Sequence, residues 1–151
     1  MYRLLIGMSA LALTSSTTTI EPGNWQAVGQ LQDIQMGPGA PPGMADIIRS
    51  TMGESGITTE TCVTQEQIEQ GPQSMFDQTG GDCSYSEFSM EDGVLHAVAQ
   101  CTGPQGNMVM VTDGTYTANA YSTTMRMESD MGMGPMTMVF TVEGRRLGPC
   151  S

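Results

Sequence analysis

The sequence predicts a mainly β fold: a curled, half-barrel-like antiparallel meander of about six strands, with one or two short helices and two disulfides. Three observations carry this. From residue 83 onward, short stretches alternate apolar and polar residues with a period of two, separated by turn residues. Four cysteines occur in a chain of 151 residues, two of them spaced evenly about an Asp-Gly turn signal. Helical signals are confined to two short stretches.

At the N-terminus, Arg3 is followed by an apolar run from Leu4 to Leu13 and a polar run from Thr14 to Thr19. A positive charge, a short apolar core and a small polar exit describe a secretory signal, assigned to residues 1–16. A single β-rich domain over residues 17–151 follows. The apolar run is well short of the ~20 residues a membrane-spanning helix needs, so no transmembrane segment is expected after signal cleavage. An ordinary apolar strand is the competing reading, and it leaves the charge-then-apolar order unexplained.

Trp25 to Met36 reads as the first strand, with Trp25, Ala27, Gly29 and Leu31 on one face. Residues 37–43 combine glycine and proline into a loop. Met44, Ile47, Ile48 and Met52 recur at helical spacing, and Gly53 follows as a stop. Ile57 to Val63 reads as an extended segment. Thr64 and Gln67 have the spacing of a capping box, so a second short helix starts there.

Cys83 to Met90 and Val94 to Cys101 form a hairpin about Asp92-Gly93. Cys83 and Cys101 lie nine residues either side of Asp92, so they face one another across the two strands. That leaves Cys62 to pair with Cys150. Met108 to Thr117, Ala120 to Glu128 and Met136 to Glu143 complete the series, with breaks at Asn119 and over residues 132–135.

Several of these residues carry a resemblance. Gly23-Asn24-Trp25, Cys62-Val63-Thr64, Gly81-Asp82-Cys83, Cys101-Thr102-Gly103, Gly114-Thr115-Tyr116, the Met-x-Met strands and the terminal Gly144-Arg145-Arg146-Leu147-Gly148-Pro149-Cys150 occur in this order. Together they resemble the bacterial domain-of-unknown-function family numbered 3617, over nearly all the chain after the signal. The resemblance implies a small, exported, β-rich protein. That family carries no established activity, so no functional residue is transferred from it.

Charge narrows the function. Sixteen acidic residues stand against five basic ones, a net charge of −11. A basic groove for nucleic acid is missing, and an anionic membrane surface would repel the chain. No C-x-x-C is present and there is one histidine, which argues against structural zinc. No G-x-S-x-G, H-E-x-x-H, P-loop, dinucleotide or EF-hand pattern occurs. His96 shares a strand face with Val94 and Val98 and reads as a satisfied surface histidine. Glu87 with Glu91 or Asp92 reads as solvated charge, and Arg145-Arg146 as an exposed end-of-strand pair.

Methionine is the unusual component, at 15 residues. Four Met-x-Met pairs occur: Met108/Met110, Met125/Met127, Met131/Met133 and Met136/Met138. Residues two apart on a strand share a face. The strand methionines are expected to pack, methionine being a flexible core filler. No cofactor and no catalytic role is expected. The favoured function is a non-enzymatic periplasmic or secreted protein holding a small apolar ligand or a partner segment of an envelope protein. Trp25, Tyr121, Met125, Met127 and Met138 are its candidate contacts. The alternative is a copper(I)-binding envelope stress protein using Met131, Met133 and Met136, because thioether sulfur is a soft ligand.

The signal assignment has a direct check. Intact-mass measurement of the protein isolated from cell envelopes should find a chain that begins after the apolar run and before Trp25. Recovery of the chain with Met1 from the cytoplasmic fraction would refute it.

Overall fold

The order of strands is set by which hydrogen-bonding edges the chain brings together. The computed structural model describes residues 19–52, 55–71, 82–103, 106–130, 132 and 134–151. The proposed signal and Gly53 lie outside the described residues. The elements run β1 (Gly23–Met36), α1 (Met44–Met52), β2 (Ile57–Val63), α2 (Gln65–Gln70), β3 (Asp82–Glu91), β4 (Val94–Gly103), β5 (Gly106–Tyr116), β6 (Ala120–Asp130) and β7 (Pro135–Gly148). They form one open seven-stranded sheet in the order β2-β1-β7-β6-β5-β4-β3. Every pairing is antiparallel. β3 to β7 make the expected meander, and β7 then returns to pair with β1. The seventh strand, one more than expected, is the extended segment Ile57–Val63.

The predicted turns are present. Asp92 and Gly93 both have positive φ, 50° and 77°, and Glu91 pairs with Val94 directly across them. Two left-handed residues in a two-residue loop match the right-handed twist of the strands they join. Between β5 and β6, the Thr117 amide donates to the Ala120 carbonyl at 2.8 Å. The α2 capping box is formed: the Gln67 amide donates to the Thr64 hydroxyl at 3.2 Å, and the Thr64 amide to Gln67 Oε1 at 2.7 Å.

Alternation sorts the side chains onto two faces. One face takes Trp25, Leu31 and Ile34 from β1, Val63 from β2, Tyr85 and Phe88 from β3, and Ala97 and Ala99 from β4. It also takes Met108 and Met110 from β5, Met125 and Met127 from β6, and Met138 and Phe140 from β7. The other face takes every aspartate and glutamate borne on a strand, including Asp33, Glu60, Glu87, Asp113, Glu128 and Glu143.

The core sits on the apolar face, and it is thin. Trp25, Ile34, Val63, Ala97, Ala99, Tyr116 and Met136 are buried there with Thr123, yet no described side chain is fully enclosed. Beyond Gly29, β1 has no β2 partner, and α1 packs against β1. Arg49 of α1 meets Asp33 of β1 at 3.9 Å. Ile47 on the same helix is 60% exposed, so α1 shields β1 without closing a second layer.

Both disulfides pair as expected. Cys83 and Cys101 are directly opposed in register, with Cα atoms 4.0 Å apart. Cys62–Cys150 has Cα atoms 5.6 Å apart. Asn24 of β1 lies between Cys62 on β2 and Gly148 on β7, so this bond reaches across the start of β1. Sequence separations of 18 and 88 residues correspond to roughly 3 and 4.5 kcal/mol of unfolded-chain entropy removed.

This arrangement predicts a sharp difference between the faces. Met136, 7% exposed, should cost about 2–4 kcal/mol when replaced by Ala and below ~1.5 kcal/mol when replaced by Leu. Thr124→Ala, on the acidic face, should stay within about 0.5 kcal/mol. Urea denaturation measures all three, and equal costs for Met136→Ala and Thr124→Ala would overturn the face assignment.

Candidate functional site

The apolar face has two chemically distinct ends. At one end Trp25 of β1 and Tyr121 of β6 stack, with ring centroids 5.8 Å apart and planes 24° from parallel. They meet across β7 because the residue between them is glycine. Gly144 pairs with Ala27 on one side and Tyr121 on the other, and a Cβ there would run into the Tyr121 ring. The indole N–H donates to the Glu21 carbonyl at 3.0 Å, which fixes the ring from outside the sheet. Burial pushes the Tyr121 phenol above its ordinary value. A cleft of about 190 Å³ opens beside the pair, lined by Ile20, Trp25, Ala27, Thr59, Thr61, Val63 and Tyr121.

At the other end the methionines gather. Met127 of β6 is opposed by Met110 of β5 and Met138 of β7. Met125 lies between Thr112 and Phe140, and Met136 between Ser129 and Met36. The five expected contacts therefore share one face, but as two groups: Trp25 with Tyr121, and Met127 with Met138 and the adjacent Met125. Of the alternative set, Met136 belongs to β7 and is buried. Met131 and Met133 lie outside the described residues.

The acidic face holds two features that no sequence motif marked. The first is an open groove of about 530 Å³, lined by Gln26, Val28, Thr115, Ser122, Glu143 and Arg145 among others. Its polar groups already satisfy one another: Arg145 donates to Gln26 Oε1 at 3.1 and 3.3 Å, and the Ser122 hydroxyl to Glu143 at 2.8 Å. It is larger than the Trp25 cleft, and its lining also reaches Tyr116, Tyr121 and Gly144. Arg145 and Arg146 do not act as a pair. Arg146 alternates to the apolar face, where its Nε donates to the Pro22 carbonyl at 2.7 Å.

The second feature is the His96 cluster. Its Nδ1 lies 2.6 Å from Asp113 and its Nε2 3.4 Å from Glu87. The imidazole is thus a satisfied surface group between two carboxylates on opposite sides. Among the described residues, no group of three or more His, Cys, Asp or Glu side chains is arranged to hold a metal ion. The hydrogen bond to Asp113 raises the His96 pKa above its ordinary 6.5; partial desolvation opposes this and Glu87 assists it.

Because the folded value is raised, the link between β3, β4 and β5 stabilises fully below the unfolded pKa of about 6.5. That stabilisation is lost as pH rises through the folded value. NMR titration of the imidazole should give a midpoint above 6.5 in the wild type and a lower one in Asp113→Asn. A midpoint unmoved by the substitution would remove Asp113 as the cause.

Residues 20–150 match the family model described as Protein of unknown function (DUF3617). No curated protein and no solved structure matches the chain. The matched span takes in every described strand and helix, the aromatic and methionine ends of the apolar face, and all four cysteines. The chain therefore belongs to the DUF3617 family.

Proposed function

We propose that this protein is exported to the periplasm or beyond and that it holds a small apolar ligand against Trp25 and Tyr121, without catalysing a reaction. One observation carries the reading. The sheet segregates its strand-borne acids to one face and leaves an apolar face on which Tyr121, Phe140 and the methionines Met110, Met125, Met127 and Met138 are only partly buried, while Trp25 is buried beside them. A face of this kind, with no second layer among the described residues, favours an occupant. The cleft at Trp25 is lined by apolar and threonine side chains, which suits a small apolar molecule better than a charged one.

The two disulfides support an oxidising compartment. No helix among the described residues is long and apolar enough to cross a membrane. A binding role is supported by the chemistry on offer. His96, the sole histidine, is committed to two carboxylates on the face opposite the cleft. The four cysteines are all oxidised.

Trp25 is the one tryptophan in the chain, so its emission reports directly on the cleft. Titration with the neutral apolar probe phenylnaphthylamine should quench Trp25 saturably, with energy transfer to the probe. Tyr121→Ala should weaken binding roughly fivefold, about 1 kcal/mol for a lost ring contact. Absence of saturation, or equal affinity in Tyr121→Ala with the fold intact, would overturn the reading.

A further inference from the structure

Strand register brings three thioethers into one row. Met110 on β5, Met127 on β6 and Met138 on β7 are successive cross-strand partners on adjacent strands. Directly opposed residues have Cβ atoms about 4.5–5.5 Å apart. An unbranched side chain with three rotatable bonds allows the sulfurs of such neighbours to converge on one point. Each of the three is partly exposed rather than sealed, so an ion has access to them. The helix with a substantial contact to the sheet, α1, lies against β1 and not over this row.

The surrounding donors are equally informative. No strand-borne carboxylate faces this side. The sole histidine is on the opposite face, held by Asp113 and Glu87. All four cysteines are in disulfides. The row therefore offers sulfur in thioether form and none of the imidazole, carboxylate or thiolate that zinc or copper(II) requires. Neutral thioethers select copper(I) among the biologically common metals.

We propose that Met110, Met127 and Met138 form a three-sulfur site for copper(I). The site is at the opposite end of the apolar face from the Trp25 cleft and does not depend on the ligand reading. Either one stands if the other fails. It also differs from the Met131, Met133 and Met136 set suggested by sequence.

The test uses the purified, oxidised, full mature chain, with ascorbate as a reductant that leaves the disulfides intact. Competition against a chromophoric copper(I) chelator should show one ion bound per chain. Met127→Leu, which keeps volume and apolarity, should weaken binding by at least about tenfold. The Met110→Leu/Met127→Leu/Met138→Leu variant should abolish it, while Met131→Leu/Met133→Leu should leave it unchanged. A second readout uses the unsubstituted chain and so is independent of any variant's folding. With methyl-labelled methionine, one equivalent of silver(I), a redox-inert surrogate for copper(I), should shift the methyl resonances of Met110, Met127 and Met138. No binding, binding that survives the triple variant, or shifts confined to Met131 and Met133 would each overturn the proposal.

Discussion

Strict alternation of side chains across a continuous register is the constraint on which this structure depends. A one-residue slip in any strand would exchange its two faces. Strand-borne acids would then fall among the methionines, where burial of an unpaired charge is costly. Two of the three irregularities in strand pairing show how the register is protected. In β1, Leu31 and Ile34 both belong to the apolar face although three positions separate them, and the irregularity between Leu31 and Asp33 absorbs the extra residue. Without it Asp33 would point into the apolar face and Ile34 out of it. In β3, the irregularity between Tyr85 and Glu87 does the same for Phe88 and Met90, and it turns Glu87 outward to reach His96. Polarity thus decides where the backbone departs from regularity.

An open sheet leaves two strands with one neighbour each, and here these are β2 and β3. Each is held by a disulfide. Cys83–Cys101 ties β3 to β4, and Cys62–Cys150 ties β2 to the chain beyond β7. Such strands are the first to fray when the core is thin, because little apolar burial opposes their release. The covalent links therefore act where packing is weakest. The bulge and the charges of β3 also make its outer edge a poor template for pairing with another chain.

Much of this was legible in the sequence because the signals were local. Asp92-Gly93 marked the hairpin, the Thr64/Gln67 pair marked α2, and period-two stretches marked β3 to β7. The symmetric placement of Cys83 and Cys101 fixed one disulfide, and elimination gave the other. What was not legible depended on long-range placement. Ile57–Val63 is a strand because β1 supplies its hydrogen bonds, not because its side chains are buried; only Val63 is. The return of β7 to β1 has no local signature. Nor does the stacking of Trp25 on Tyr121, which needs Gly144 to lie between two residues far apart in the chain. Arg145 and Arg146 were read as a pair because they are adjacent, although alternation sends them to opposite faces.

The methionines expose the deeper limit. Their spacing placed them on one face, and nothing in that spacing distinguished a closed core from an open surface. The distinction lies in what covers the face, and α1 makes its substantial contact with β1 alone, with Ile47 turned to solvent and Arg49 meeting Asp33 of the opposite face. A broad, partly exposed face of leucine or valine would be a standing invitation to self-association. Methionine changes that balance: its side chain is flexible and polarizable, so it adapts to different occupants and need not interlock with one fixed partner. Its rotamer freedom also makes ordering it into a rigid core entropically expensive. The acidic opposite face complements this choice, since a net charge of −11 makes copies of the chain repel one another. Methionine on one face and acid on the other are therefore parts of a single solution, in which an apolar surface stays available without driving the protein to aggregate.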